Sequence, residues 1–336
     1  MLNLFEYKNN FEVAKDKESR LFYGRYEDCP NPKVSIVIPI YKNFYYFKIA
    51  LQSALNQDCD FEYEIVVLDD YTYDGKPDEE QLYVESLGVK NVFYYRNIQN
   101  LGMSANWNRC IEKARAPFFT FCHNDDELLP NCLSTLMSIQ SKCGNKCIAC
   151  NHNLINNAGE IITPASVFPK YLWGIVKKNS FRSYTKYDVF MDSPGVGVGC
   201  LFNKDVMVEL GGYNHDYYPS ADYAIFAKYV FKYGGVWSNV PTYSYRIGEN
   251  DSISAYPQFS ERDKFFRECM KEKMICPQIV LNLLINSLYN SSKVYFAFFW
   301  GHKDRSSLEK VSFKDKLIIK IARDLQRFVH FVRNYF

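Results

Sequence analysis

The sequence lacks a strong excess of charge of either sign, and it lacks long apolar runs. Its 40 basic and 38 acidic residues leave a formal net charge of +2, which argues against a protein that binds nucleic acid. The apolar stretches at residues 279–288 and 294–300 are interrupted by asparagine and lysine, so neither reaches the ~20 residues of a membrane span. Residues 1–20 are charged throughout, without the apolar segment of a secretory signal, so we expect a cytoplasmic protein.

Cysteine is present in an odd number, and the sequence shows no paired metal-binding motif. Eleven cysteines without a secretion signal predict free thiols in a reducing compartment. Cys143, Cys147, Cys150 and His152 have a spacing that superficially suggests zinc, but no second CxxC pair follows. Residues 147–150 are also typical of a strand, whose alternation would direct Cys147 and Cys150 to opposite faces. We therefore interpret these cysteines as core residues.

Three apolar segments of strand length end in polar residues. The first, residues 34–41, is a run of β-branched residues stopped by Pro39 and followed by Tyr41. The second, residues 64–70, ends in Asp69-Asp70, and the third, residues 118–126, ends in Asp125-Asp126. Apolar residues at helical spacing lie between them, with further helices indicated at residues 78–87 and 104–114. This alternation predicts an α/β fold with a doubly wound, mostly parallel sheet flanked by helices.

The adjacent acids Asp125 and Asp126 are the most informative feature of the sequence. Two carboxylates at the mouth of a buried strand repel each other and are costly to desolvate unless a cation lies beside them. Ligands of parallel sheets bind beyond the carboxyl ends of the strands. The pair therefore indicates a divalent-metal site at the edge of a nucleotide pocket. The alternative is a solvated acidic turn before the helix that begins near Pro130.

Several ordered blocks resemble the inverting family-2 glycosyltransferases with the GT-A fold, over roughly residues 33–255. The first two blocks are the strands at residues 34–41 and 64–70. The remaining blocks are Asn100-Leu101-Gly102 with Ala105 and Asn108, Asp125-Asp126 with Leu128, Leu129 and Pro130, Gly211-Gly212-Tyr213-Asn214 leading to Ala221-Asp222-Tyr223, and Tyr245-Arg246 with Asn250, Ser252 and Ser254.

The resemblance implies a set of nucleotide and metal contacts. A uracil or thymine ring would be held by Pro39, Tyr41 and Asp70. Asp126 would be the more direct ligand of Mn²⁺ or Mg²⁺, and Asp125 would lie nearer the ribose while also belonging to the metal motif. Further contacts to the nucleotide would come from Asn100, Gly102, Asn108 and Arg246, with Arg246 near the diphosphate.

The resemblance also implies a catalytic base, Asp222. It would take the proton of the acceptor hydroxyl while the oxygen attacks the anomeric carbon from the opposite face, which inverts the configuration. The alternative is a helix N-cap before residues 223–231.

Some positions depart from the family pattern. His123 stands where many relatives have an acid, so it is either an extra ligand or a structural neighbour. Trp107 and Gly248 replace a frequent Arg and His, which leaves Arg246 to supply positive charge near the diphosphate. Ala221 replaces the usual Glu beside the base.

We divide the chain into an N-terminal arm (residues 1–32), a catalytic domain (33–255) and a helical extension (256–336). Within the catalytic domain, residues 160–200 are expected on the acceptor side, with a glycine-rich lip at 194–199. Residues 312–336 form a basic amphipathic helix that suits the anionic face of a bilayer. The alternatives are docking on the catalytic domain or pairing with another subunit.

The sequence thus resembles a metal-dependent inverting glycosyltransferase that uses a UDP- or dTDP-sugar. The acceptor implied is a glycan or a lipid-linked molecule, the process surface polysaccharide biosynthesis, and the location the inner face of the cell membrane. The alternative is a non-catalytic module that binds a nucleotide sugar or a glycan on the same fold. The acids Asp126 and Asp222 argue against this alternative because both are retained.

Overall fold

A six-stranded sheet forms the centre of the molecule. The computed structural model describes residues 3–167, 181–192, 197–248, 252–299 and 310–335. The central strands are parallel, and an antiparallel strand closes each edge, in the order β1-β4-β3-β2-β5-β10. The strands are β1 (Ser19–Tyr23), β2 (Val34–Ile40), β3 (Tyr63–Asp69), β4 (Val92–Asn97), β5 (Phe118–Phe121) and β10 (Phe202–Asn203). This confirms the predicted α/β fold.

Helices follow the central strands, as the apolar spacing predicts. The first four are α1 (Phe44–Leu55), α2 (Glu79–Leu87), α3 (Met103–Lys113) and α4 (Cys132–Cys143). Local capping sets some of the boundaries: the Asp78 side chain accepts a hydrogen bond from the Gln81 N–H, and Gly88 ends α2 with a positive φ. The later helices are α5 (Lys186–Met191), α6 (Lys204–Glu209), α7 (Ala221–Tyr233), α8 (Ser252–Lys271), α9 (Gln278–Phe299) and α10 (Phe313–Tyr335).

A second sheet contains the strand that follows β5 in the chain. Its order is β6-β11-β7-β8, and β9 also pairs with β11. Its strands are β6 (Glu127–Leu128), β7 (Cys147–Ile155), β8 (Ile161–Thr163), β9 (Phe181–Tyr184) and β11 (Gly235–Arg246). Strand β6 begins directly after Asp125-Asp126 and pairs with the end of β11. This pairing brings Arg246 next to the two acids.

Pro39 does not stop its strand, contrary to the prediction. Successive residues of a parallel strand direct their backbone groups to alternate neighbours. The Val37 carbonyl accepts from Cys122 N–H on the β5 side, and the Ile40 carbonyl accepts from Asp70 N–H on the β3 side. The backbone nitrogen of Pro39, which carries no hydrogen, therefore faces β5, and the pairing of β5 with β2 ends at Val37. The strand loses no hydrogen bond to the proline and continues to Ile40.

The division into three parts does not match the packing. The N-terminal arm contributes β1, which pairs with β4 and extends the central sheet. Helix α8 crosses the expected boundary at residue 255, and its Phe266 and Met270 are fully buried in the same core as α7. Hydrophobic spacing alone did not reveal these contacts because they depend on residues distant in sequence.

Cys147 and Cys150 lie in β7 and belong to different hydrophobic clusters on its two faces. This confirms the alternation that the strand pattern predicts. All eleven cysteines are unpaired.

Helix α10 packs with one face and exposes another. Ile318, Ile319 and Ala322, the inner face, pack against the core, and Arg323 pairs with Asp192 at 3.2 Å. Leu317, Ile321 and Leu325, the outer face, are 44%, 52% and 61% exposed. The side chains after residue 325 lie outside the description. No helix in the described part of the chain has both the length and the apolar character needed to cross a bilayer.

Candidate active site

The carboxyl ends of β2, β3 and β5 meet at one edge of the central sheet. Tyr41 follows β2, Asp70 follows β3, and His123 to Asp126 follow β5. Asn124 Nδ2 donates to the Lys42 carbonyl over 3.4 Å, which joins the loops after β5 and β2. The sheet thus gathers the predicted aromatic ring and the predicted acids, as expected for parallel strands.

His123, Asp125 and Asp126 form a cluster that fits a divalent cation. One ligand atom from each lies within 4.8 Å of the others. Asp126 Oδ1 accepts the Arg246 backbone N–H over 2.8 Å, whereas the buried Oδ2 accepts no hydrogen bond from the described residues. Burial, and then the neighbouring Asp125 charge, raise the pKa of Asp126 well above its ordinary value. A hard cation would satisfy Oδ2 and offset this desolvation.

Arg246 holds the acidic loop rather than facing an open site. Its side chain is 3% exposed. Its Nε donates to the Asp125 carbonyl, its Nη1 to the carbonyls of Asn156 and Asn157, and its Nη2 to the Glu127 carboxylate. All three nitrogens of the guanidinium donate to groups of the protein. None is left for the expected contact to phosphate. Sequence reasoning missed this role because the partners are mostly backbone carbonyls.

A row of rings connects the acidic loop with α7. His123 stacks on Trp107 at a centroid distance of 5.2 Å, and Trp107 meets Tyr213 edge-on at 5.0 Å. Burial lowers the pKa of His123 to about 4, so its imidazole is neutral at pH 7. Burial raises the pKa of Tyr213, and the nearby Asp222 carboxylate raises it further. Trp107, which replaces a frequent cation, thus bridges His123 and the surroundings of Asp222.

Asp222 is half-buried at the start of α7. Its Oδ1 accepts the Tyr223 N–H over 2.8 Å, as in the capping alternative, while Oδ2 accepts no hydrogen bond from the described residues. Burial raises the pKa of Asp222 to about 6, against the lowering effect of the Tyr223 N–H. A carboxylate with a pKa near neutrality and one free oxygen is suited to accept a proton.

Asp70 and its neighbours form a hydrogen-bonded loop. Asp70 Oδ1 accepts from the N–H of Leu101 and from the Asn97 amide, and Oδ2 accepts from the N–H of Gly102. The exposed Asn100 side chain donates to the Asp70 carbonyl. Gly102 has φ +80°, and a Cβ there would meet no atom within 4 Å, so this backbone faces open space. Asp70 therefore holds the loop so that the exposed Asn100 and the half-buried Gly102 lie at the carboxyl edge of the sheet, and we call the open surface at this edge the cleft.

Asn108 is placed differently from the expectation. It is 3% exposed, its Oδ1 accepts the Tyr213 N–H, and its Nδ2 donates to the carbonyls of Tyr213 and Asn10. Both amide hydrogens are used inside the protein, so its geometry supports positioning of Tyr213. Pro39 is also buried, within β2.

The aromatic surface beside the cleft is larger than the sequence predicts. Exposed Tyr41 lies 6.2 Å from Tyr71, and the Lys42 ammonium lies over both rings. Tyr71 was missed because it lies in an irregular segment after β3. Of the glycine-rich lip, residues 194–196 lie outside the described residues, and the described Gly197 lies beside the His123 ring.

Comparison with known families and structures gives consistent matches. The family model described as glycosyl transferase family 2 matches residues 35–207, just over half of the chain. The match ends before Asp222.

Similar proteins include a Campylobacter jejuni GalNAc(5)-diNAcBac-PP-undecaprenol beta-1,3-glucosyltransferase. It is 34% identical over 110 residues, which cover 32% of this chain and 34% of the relative. The chain spans about a third of the length of several curated relatives that it matches.

Two solved structures share the GT-A architecture. S. aureus TarS 1–349 in complex with UDP-GlcNAc superposes with a TM-score of 0.56 at 15% identity, covering 86% of this chain and 79% of TarS. The mannosyltransferase PcManGT from Pyrobaculum calidifontis, in complex with GDP-Man and Mn²⁺, superposes with a TM-score of 0.57 at 12% identity, covering 89% of this chain and 87% of that protein.

Proposed function

Because the chain belongs to glycosyl transferase family 2, we propose that it is a metal-dependent, inverting glycosyltransferase. It moves a sugar from a UDP- or dTDP-sugar to a glycan or a lipid-linked acceptor. The observation that carries the proposal is the cluster of His123, Asp125 and Asp126 at the carboxyl edge of the sheet, with the buried Asp126 Oδ2 unpaired among the described residues.

The acidic residues hold the metal and the chain's other groups hold the nucleotide. Asp126 and Asp125 are the proposed ligands of Mn²⁺ or Mg²⁺, and Arg246 fixes their loop. When bound, the cation offsets the negative charge that develops on the departing nucleoside diphosphate. Tyr41 contacts the nucleobase, and the backbone at Asn100 and Gly102 lines the cleft beside it. Asp70 acts by holding that loop, and Pro39 is a buried residue of the neighbouring strand β2.

Asp222 is the proposed catalytic base. Its ionised form accepts the proton of the acceptor hydroxyl, and a raised pKa makes it a stronger base than an ordinary aspartate. A second acid, Asp216, lies six residues earlier in the sequence and is paired with Lys8 at 2.8 Å, which lowers its pKa. Asp216 is therefore the weaker base.

The comparisons guide the choice of ligands to test. TarS was solved with UDP-GlcNAc and PcManGT with GDP-Man, so GDP is included beside UDP and dTDP. The name of the Campylobacter relative contains an undecaprenol diphosphate-linked acceptor, which supports a lipid-linked acceptor and a role in surface polysaccharide biosynthesis.

A lipid-linked acceptor is consistent with a cytoplasmic protein bound peripherally to the inner face of the membrane. The exposed outer face of α10, Leu317, Ile321 and Leu325, lies on a helix with several lysines and arginines. An apolar face flanked by basic residues suits an anionic bilayer. We propose that residues 312–336 provide this contact.

Thermal unfolding with a panel of ligands tests the proposed function. The ligands are UDP, dTDP, GDP and their sugars, each with Mn²⁺ and with EDTA. We expect at least one nucleotide to raise the midpoint temperature more in Mn²⁺ than in EDTA, because a ligand that binds the folded state stabilises it.

Asp126→Asn is the matched variant. Its side-chain oxygen can still accept the Arg246 N–H, while the charge that would bind metal is removed. We expect the Mn²⁺-dependent part of the stabilisation to disappear in this variant. Equal stabilisation of both proteins, with and without metal, contradicts the metal site. Stabilisation without any sugar transfer or donor hydrolysis favours the non-catalytic alternative.

A further inference from the structure

Lys42 places a positive charge on the two tyrosines beside the cleft. Its Nζ lies 5.2 Å from the Tyr41 ring centroid and 5.3 Å from that of Tyr71. Both rings are exposed, at 52% and 44%. No carboxylate of the described residues lies within 4.0 Å of this ammonium. An exposed cation–π contact is weak, so the ammonium can leave the rings at little cost.

The backbone fixes Lys42 at an unusual conformation. Lys42 has φ +62° and Asn43 has φ +68°, a left-handed conformation that is uncommon for residues other than glycine. The Lys42 carbonyl accepts a hydrogen bond from Asn124, which belongs to the loop of His123 and Asp126. Lys42 therefore contacts the aromatic pair with its side chain and the loop of the acidic cluster with its carbonyl.

Two other cations of this edge, both arginines, are committed elsewhere. The Arg246 guanidinium binds backbone carbonyls and Glu127. The buried Arg96 lies 2.8 Å from Asp78 and 3.4 Å from Asp69. Lys42 is exposed, and it contacts the ring pair with its ammonium and the acidic loop with its carbonyl.

We propose that Lys42 binds the diphosphate of the nucleotide-sugar donor. The inference rests on the proposed function, which puts the base at Tyr41 and the diphosphate at Asp125 and Asp126. In the ligand-free protein the ammonium covers the ring faces. When the nucleobase occupies those faces, Lys42 Nζ moves to the phosphate oxygens that lie next to it. Lys42 thus favours a nucleoside diphosphate over a nucleoside. The base of either ligand displaces the ammonium from the rings, but only the diphosphate gives the ammonium a new partner.

Lys42→Asn separates the charge from the backbone conformation. Asparagine adopts positive φ more readily than most residues, so we expect the unfolding midpoint of the free variant to stay equal or rise. Lys42→Gly is a second neutral variant without strain at this φ. Lys42→Arg keeps the charge.

Calorimetric titration in Mn²⁺ measures the effect. The ligand is whichever of UDP, dTDP or GDP binds wild type best, compared with its own nucleoside. We expect both neutral variants to bind the diphosphate about tenfold more weakly, the size of one charged hydrogen bond. Their affinity for the nucleoside should be unchanged or higher. Lys42→Arg should stay within about threefold of wild type for both ligands, since it keeps the charge.

Lys48→Gln is the matched control. Lys48 also places its Nζ over an aromatic ring, 4.5 Å from the centroid of Phe44, but it lies within α1. We expect its variant to bind both ligands like wild type. An equal loss for nucleoside and diphosphate, or no loss in the neutral Lys42 variants, overturns the role of Lys42 while leaving the function intact. A wild-type protein that binds no nucleoside diphosphate overturns the proposed function together with this inference.

Discussion

At the scale of single residues, the burial of Asp222 makes a proton-transfer role measurable. Its pKa is raised to about 6 by burial, and a general base must be ionised to act. The transfer rate should therefore rise between pH 5 and pH 7, with a midpoint near 6. The test is the rate against pH at saturating donor and acceptor. A rate that is flat down to pH 4.5 contradicts Asp222 as the base.

Asp222→Asn should separate catalysis from binding. Loss of a positioned general base costs about 10²–10⁴ in rate, while nucleotide affinity should remain. The measurements are initial rates and calorimetric titration of the donor nucleotide. Asp216→Asn is the comparison, and we expect it to keep most of the activity because Asp216 is already paired with Lys8. Near-normal turnover by Asp222→Asn returns this residue to a capping role.

Stability gives an independent check on the same residue. The pKa of Asp222 is higher in the folded protein than in the unfolded chain, so the folded state holds more protons between about pH 4 and pH 6. The contribution of Asp222 to stability is therefore lost as the pH rises through this window. Asp222→Asn should lose this dependence. Urea unfolding of both proteins at pH 4.5 and pH 7.5 measures this dependence. If the free energy of unfolding changes by the same amount between the two pH values in wild type and variant, the raised pKa is contradicted.

The sequence predicts those residues of the candidate site that lie at the ends of the parallel strands. Asp125 and Asp126 could be predicted because the ends of parallel strands converge. The roles of Arg246 and Asn108 could not, because both bind backbone groups that only the folded chain brings near. The sequence does not predict the proposed role of Lys42 either, because a lysine that follows a tyrosine is not a recognisable motif.

At the scale of elements, strand β11 stabilises the loop that follows β5. Its last residue, Arg246, is buried and hydrogen-bonds three backbone carbonyls and one carboxylate. Arg246→Met leaves these acceptors without their donor, and leaving buried acceptors unsatisfied costs about 1–3 kcal/mol. We expect urea unfolding to show a loss of this size and Mn²⁺ affinity to fall with it.

Arg20→Met is the control for this prediction. Arg20 forms an exposed pair with Glu18, and such pairs contribute about 0–1 kcal/mol. If both variants lose the same stability, the Arg246 contacts do not carry the expected energy.

The main elements were predictable because their signals are local. Apolar runs determine β2 and β3 to within one residue and the start of β5, which ends at Phe121, before the predicted acids. The continuation of β2 past Pro39 depends on which neighbour the missing donor faces. The pairing of β1 with β4 joins residues more than 70 positions apart, and neither feature is visible in a short window.

At the scale of the whole molecule, the C-terminal helices extend the catalytic core instead of forming a separate unit. Phe266 and Met270 of α8 and Ile285 of α9 are fully buried with the residues of α7. Helix α10 adds its inner face to this core and leaves its outer face exposed. The helix predicted as basic and amphipathic therefore has two functions, packing with its inner face and the proposed membrane contact with its outer face, and removal of the whole helix would disturb both.

Substitutions on the two faces of α10 distinguish these functions. Leu317→Gln, Ile321→Gln and Leu325→Gln together should change stability little, because exposed positions usually contribute within about 0.5 kcal/mol each. This triple variant should remain active on a water-soluble acceptor but no longer sediment with anionic phosphatidylglycerol vesicles. The inner-face control Ile319→Gln should lose stability, because it places a polar group against the core.

The salt dependence decides what the outer face of α10 contacts. Each basic residue near an anionic bilayer contributes about 1 kcal/mol, and this attraction weakens as ionic strength shortens the screening length. Wild type should therefore bind the vesicles at low salt and be released at high salt, with neutral vesicles as the comparison. Wild type that ignores anionic vesicles at low salt contradicts membrane contact. If wild type is instead a dimer that the triple variant dissociates, measured by light scattering, the outer face is a subunit interface, because apolar side chains exposed in one chain then become buried between two.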